Sequence, residues 1–187
     1  MMKERLLKLI EVAKKGRRTT LELSKEKIKE LPPEIGGLKN LVKLDLSDNK
    51  LQELPRELGE VKTLLELNLS GNQLESLPAE MANLKRMKKL ALDYLWFSDF
   101  PQVICFLENL EELYLRGNLL TKLPPEIGNL KGLKGLDLRA NKLTRLPREM
   151  SQLKKLKLLY LDGNPLETPP PEIIRDGTEA ILNFLQS

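Results

Sequence analysis

The sequence predicts an α/β solenoid: a curved, parallel β-sheet on the concave face, short helical or 3-10 turns on the convex face, and a helical cap at each end. Three observations predict it. Leu44, Leu67, Leu90, Leu113, Leu136 and Leu159 stand 23 residues apart without an insertion. Around each of them apolar and polar residues alternate, the period of a half-buried strand. A proline opens the second half of every period, at Pro32, Pro55, Pro78, Pro101, Pro124, Pro147 and Pro170. Repetition at this interval makes a stack in which each copy buries its leucines only against its neighbours.

In order along the chain, residues 1–17 are expected to form a capping helix, 18–170 seven repeats and 171–187 a C-terminal cap, all one domain. Leu6, Leu9, Ile10 and Ala13 fall on one face of the first helix, which should stop near Gly16. In "LVKLDLSDNKL" the strand sends Leu44 and Leu46 inward, with Lys43, Asp45 and Ser47 facing out. Asn49, Asn72, Asn118, Asn141 and Asn164 follow the strands where the chain turns inside the protein. An amide can both donate to and accept from buried backbone groups there, so this ladder reads as structural. One period earlier Leu21, Leu23 and Ile28 continue the row, with Glu26 at the asparagine position. The prolines suit the first position of a helical turn, and Glu34, Glu57, Glu80, Glu126, Glu149 and Glu172 suit its positive end. At the far end Thr178 is expected to cap a short helix whose Ile181, Leu182 and Leu185 cover the last repeat.

The phrase L-x-x-L-x-L-x-x-N-x-L, in "LVKLDLSDNKL", "LLELNLSGNQL", "LEELYLRGNLL", "LKGLDLRANKL" and "LKLLYLDGNPL", resembles the leucine-rich repeat family and covers nearly the whole chain. The longer unit, typified by "LPPEIG", is similar to the 23-residue class of plant Ras-group-related proteins and to the repeats preceding the GTPase in bacterial Roco proteins. "EVAKKGRRTTLELSKEKIKELPPEIG" and "NPLETPPPEIIRDGTEAILNFL" are similar to the ends of Roco segments. The resemblance implies a protein partner, with a small GTPase or an attached GTPase domain among the candidates. It also implies an intracellular, cytoplasmic protein, because extracellular relatives usually carry disulfide-bonded caps.

Composition narrows the chemistry. The chain has no histidine and one cysteine, Cys105, so neither a Cys–His nucleophile pair nor a thiolate zinc site can form. No phosphate-cradling G-x-x-x-x-G-K-[ST] occurs. No enzymatic activity, cofactor or metal is expected. Apolar runs are too short to span a membrane, and the charged N-terminus lacks the uninterrupted apolar region of a signal peptide. The formal charge of +4 is accounted for by the first 18 residues, where seven cations face Glu4 and Glu11, a surplus of +5. Over the outward strand positions eight cations meet nine anions, a balance of −1, which excludes a nucleic-acid groove and suits a protein.

Partner-binding residues are expected where tyrosine and arginine gather on the concave face: Tyr94, Tyr114, Arg116, Asp137, Arg139, Leu158 and Tyr160. Tyr114 and Tyr160 share a column with Asp137 between them, and Gly135 leaves a gap between Glu112 and Leu158. The copy at 87–109, "MKKLALDYLWF" and its return half, breaks the pattern: Leu95 replaces the ladder asparagine, Val103 the glutamate, and Cys105 and Phe106 small residues. Two readings stay open. The extra bulk packs locally around a distorted turn, with Phe97, Phe100 and Ile104 on ordinary core positions. Otherwise Trp96, Val103, Phe106 and Leu119 form a second patch for another subunit. The first is preferred, so a monomer is expected rather than a homodimer. Three function classes remain: a regulatory protein-interaction scaffold, a segment that regulates or dimerises an attached Roco-type GTPase, and an engineered scaffold without a natural ligand. The irregular copy speaks against the last.

Overall fold

The computed structural model describes residues 2–186. Helix α1 (Met2–Lys15) leads into seven three-residue strands: β1 (Thr20–Glu22), β2 (Lys43–Asp45), β3 (Glu66–Asn68), β4 (Lys89–Ala91), β5 (Glu112–Tyr114), β6 (Gly135–Asp137) and β7 (Leu158–Tyr160). They form one parallel sheet in sequence order, β1 to β7. The register advances by one repeat per strand, so Leu21, Leu44, Leu67, Leu90, Leu113, Leu136 and Leu159 stand side by side. The central leucine of each strand from β1 to β6 is buried. Each such side chain withdrawn from water contributes about 1.5–3 kcal/mol, and the row becomes a continuous core.

The return halves carry 3-10 turns at Pro33–Gly37, Arg56–Glu60, Ala79–Asn83, Gln102–Phe106, Pro125–Asn129 and Arg148–Gln152, with helix α2 (Pro171–Arg175) in the seventh copy. The proline row lies one residue earlier than expected. Pro32, Pro55, Pro78, Pro101, Pro124, Pro147 and Pro170 are the extended residues that precede each turn, not its first residue. Their fixed φ sets the entry angle, and their carbonyls accept the first bond of the turn, as in Ile35 N–H to Pro32 O at 3.1 Å.

One convex column controls how closely the turns approach. A Cβ on Gly36 would lie 2.6 Å from the Glu57 carbonyl oxygen, and one on Gly128 2.7 Å from that of Glu149. Gly59 faces Glu80 in the same way. The same column holds Ala82 and Cys105 in the irregular stretch. A side chain there keeps a turn from the next one, and the turns flanking Gln102–Phe106 pack against it less closely than each glycine-bearing turn packs on the turn that follows it.

Both ends depart in detail from expectation. Leu6, Ile10 and Ala13 are buried against the first copy, while Leu9 is only half-buried. Lys3–Glu30 at 3.3 Å and Arg5–Glu26 at 3.1 Å tie α1 to that copy. Helix α1 does stop beside Gly16, but the left-handed residue is Arg17 (φ 48°), with the Arg18 N–H closing onto Ala13 O at 2.9 Å. At the other end α3 (Thr178–Phe184) is preceded by Gly177, and Thr178 makes no capping bond to its own helix. Its hydroxyl oxygen instead accepts the Leu159 N–H of β7 at 3.2 Å, closing the open sheet edge. Ile181 and Leu185 are buried beneath this cap, with Leu182 packed on the core. Among the described residues no helix is long and apolar enough to cross a membrane.

Candidate functional site

Beyond each strand the chain turns through a left-handed residue. Lys25, Asp48, Gly71, Tyr94, Gly117, Ala140 and Gly163 all have positive φ, whether or not they are glycine. The N–H at this position donates to the next copy, as Tyr94 N–H does to Arg116 O at 2.8 Å, so the ladder imposes the conformation on side chains that disfavour it. The asparagine follows. Asn72 accepts the Leu51 N–H at 3.0 Å and donates to Leu46 O and Leu69 O at 2.9 and 2.8 Å. Asn49, Asn118, Asn141 and Asn164 repeat this arrangement.

Within this frame β5, β6 and β7 enclose a groove of about 590 Å³ on the concave face. Gly135, opposite Glu112 and Leu158, forms the notch; an added Cβ there would meet only Glu112 Cγ at 4.0 Å. Tyr114 and Tyr160 flank Asp137 in the next column. Leu158 and Tyr160 are 53% and 41% exposed, so the walls present apolar surface to solvent.

Ion pairs fix these walls. The Tyr114 hydroxyl donates to Glu112 Oε2 at 2.7 Å, and Lys89 Nζ lies 2.9 Å from the same carboxylate and 5.1 Å from the Tyr114 ring centre. The Tyr114 hydroxyl bond, then Lys89, lower the Glu112 pKa; in return the Glu112 carboxylate and burial raise that of Tyr114. Arg139 Nε contacts both Asp137 oxygens at 3.0 Å, and its guanidinium lies over the Tyr160 ring at 5.0 Å. Planar donors on a ring face add cation–π attraction. At the rim Glu111 bridges Lys134 at 2.6 Å and Lys88 at 2.9 Å, and their hydrogen bonds hold its pKa down at about 2.

Five of the seven concave residues named from sequence, Tyr114, Asp137, Arg139, Leu158 and Tyr160, line this groove. Asp137 is only 4% exposed, so it acts through Arg139 and presents little surface of its own. Tyr94 and Arg116 lie outside it. Tyr94 occupies the left-handed turn after β4, its ring over Gly117, with Arg116 at 6.0 Å from the ring centre. Asp93 accepts the Arg116 N–H at 2.7 Å, and burial raises its pKa. Sequence reasoning placed Glu112 beside the Gly135 gap but did not see that Lys89 supports the groove and that Lys134 and Lys157 rim it. The 23-residue register pairing Lys89 with Glu112 was the available signal.

The irregular copy is resolved in part. Leu95 and Phe97 are buried and supply the packing expected of a repaired turn. Trp96 does not: it is 73% exposed and has φ 67°. Phe100 is half-buried instead of fully in the core, as are Val103 and Leu119, and Phe106 is 54% exposed. Trp96 lines a hollow of about 460 Å³ with Gln73, Leu74 and Leu95, while Val103 lines a second with Glu75 and Phe100. Glu26 and Leu95 are the two ladder positions without asparagine, and in both cases the next residue, Lys27 or Trp96, adopts a second left-handed conformation. Among the described residues no group of three metal-ligating side chains could hold an ion.

Two family profiles match this geometry: a leucine-rich repeat region over residues 18–116 and a leucine rich repeat over residues 108–166. No curated protein matches the chain. Among solved structures, the leucine-rich repeat domain of the type III effector XCV3220 (XopL) is similar at 30% identity and TM-score 0.77, covering 85% of this chain and 58% of that one. The Leptospira interrogans protein LIC12759 is 38% identical with a TM-score of 0.62, covering 79% of this chain and 44% of its own. An internalin, inlF, from Listeria monocytogenes shares the fold at 21% identity and TM-score 0.68, covering 79% and 42%. The chain thus spans less than two thirds of these structures. Sequence period, ladder geometry and profile matches agree: the chain belongs to the leucine-rich repeat family.

Proposed function

We propose that this protein is a non-enzymatic recognition element that binds a protein partner across the concave face of β5–β7. Leucine-rich repeat domains generally mediate protein–protein interaction. The observation that carries the reading is the groove itself: exposed tyrosine and leucine walls, held in place before binding by Glu112, Lys89 and the Asp137–Arg139 pair. Preformed walls lose little side-chain freedom on association, and tyrosine with arginine anchors interfaces well. On this reading the protein is a monomer in the cytoplasm that serves signalling or regulation. The test is capture of partners by the wild-type chain and by the Tyr114→Ala, Tyr160→Ala double variant. Loss of a specific partner by at least about tenfold is expected; retention of every partner at full affinity would refute the placement.

A second reading rests on the two ends of the chain, which are similar to those of Roco segments. Here the repeats regulate or dimerise an attached GTPase, and the same concave face contacts it. Trp96 and Phe106, both exposed, would then be available to a second subunit.

A further inference from the structure

The concave face is electrically lopsided. Along β1–β3 the carboxylates of Glu22, Asp45, Asp48 and Glu66 face only Lys25 and Lys43, a balance of −2, and among the described residues none of the six forms an ion pair. Along the entry side of β4–β7 the column runs Lys88, Glu111, Lys134, Lys157, three cations around one anion. Lys134 and Lys88 share Glu111, and Lys157 makes no ion pair among the described residues. This basic rim borders an apolar notch at Gly135, Leu158 and Tyr160. The carboxylates of Glu112 and Asp137 do not cancel it, because each is already engaged by Lys89 or Arg139, and Asp162, exposed past Tyr160, offsets only one of its charges. A ligand therefore meets net positive charge beside the notch and net negative charge further along the arc.

We propose that the partner presents a dipolar, extended segment to this face: a bulky apolar side chain flanked by carboxylates seated at Gly135, Leu158 and Tyr160, and basic side chains over Glu22, Asp48 and Glu66. The proposal rests on the concave reading above and specifies the chemistry and direction of its occupant. Strands lie ~4.8 Å apart, so β2 and β6 are separated by roughly 19 Å, the reach of about six extended residues. The segment must place its acidic and basic ends at that spacing. The opposite orientation sets each end of the segment against net charge of its own sign.

The test uses the full chain and a fluorescein-labelled, capped peptide with phenylalanine between two glutamates, a serine spacer of about six residues and two lysines. Anisotropy should show saturable binding. Exchanging the glutamates and lysines, replacing the phenylalanine with serine, or using the Lys134→Glu, Lys157→Glu variant should each weaken it by about tenfold or more, and added salt should weaken the wild-type complex. Both lysines are exposed, and unchanged thermal unfolding checks that the variant is folded. Equal binding of the charge-exchanged peptide, or no binding of any peptide at millimolar concentration, overturns the proposal. A captured partner that depends on Tyr114 and Tyr160 but not on Lys134 and Lys157 sinks this inference and leaves the concave reading standing. A partner indifferent to the tyrosines sinks the reading itself.

Discussion

Asn118 accepts two backbone N–H groups with one oxygen, that of Leu95 at 3.2 Å and that of Phe97 at 3.0 Å. Asn164, in the regular part of the ladder, accepts one, from Leu143 at 3.0 Å. The amide one copy on thus shoulders part of the distortion left by Leu95. Removing it strands two buried donors rather than one, and each costs about 1–3 kcal/mol. Asn118→Ala should therefore destabilise the protein by about 1 kcal/mol or more beyond Asn164→Ala. Denaturant unfolding of the two variants measures the difference. Equal costs would mean the double acceptance carries no weight.

The Thr178 hydroxyl does for the sheet what a further strand would have done. Thr178→Val keeps the shape and removes the acceptor of the Leu159 N–H. A cost of about 1–2 kcal/mol is expected, with the Leu159 amide exchanging faster while α3 keeps its helicity. Fraying of α3 with an unchanged Leu159 amide would restore the helix-capping role first read from the sequence.

Cys105 is 3% exposed, and burial, reinforced by the Glu126 carboxylate, pushes its thiol up to about 12. Unfolded, the same thiol ionises near pH ~8.5. The folded protein thus holds this proton more tightly than the unfolded chain. The sign follows: the contribution is complete below pH ~8.5 and is lost as pH rises from there toward the folded value. Cys105→Ala should flatten the alkaline limb of the stability profile, and a thiol reagent at pH ~8 should label the native protein only as fast as it opens. Prompt labelling of the native state would contradict the burial.

What the sequence disclosed is what a fixed period can disclose. Spacing alone put Leu44 inside, aligned Tyr114 with Tyr160 and left Gly135 as a gap, because a one-residue slip would invert every face. It could not disclose choices made by rotamers or backbone hand. Arg139 folds back on Asp137 of its own copy, the Thr178 hydroxyl serves a strand instead of its helix, and the left-handed turn after α1 falls on Arg17 beside Gly16. Trp96 is the sharpest case. Its column predicts a side position, where it is indeed exposed, but the left-handed backbone that follows Leu95 could not be read from spacing.

Several faults meet at one junction, between β3 and β4. Leu74 is buried, yet among the described residues its backbone N–H and C=O have no hydrogen-bond partner in the protein. In a regular copy Leu51 has both: Asn72 takes its N–H, and the Gln73 N–H donates to its carbonyl at 2.9 Å. Leu95 cannot accept, and the turned Trp96 does not donate. On the convex side of this junction Ala82 stands where glycines draw other turns together. In a solenoid, stability is close to a sum over neighbouring interfaces, so the weakest one opens first. Two comparable amides report on this. Leu69 N–H bonds to Ala91 O at 2.9 Å across the β3–β4 junction, and Leu46 N–H to Asn68 O at 2.8 Å across β2–β3. Native-state hydrogen exchange should find Leu69 less protected by about tenfold or more, since 1.4 kcal/mol of lost interface free energy corresponds to a factor of ten. Equal protection would show that the local packing of Leu95 and Phe97 fully offsets the missing hydrogen bonds.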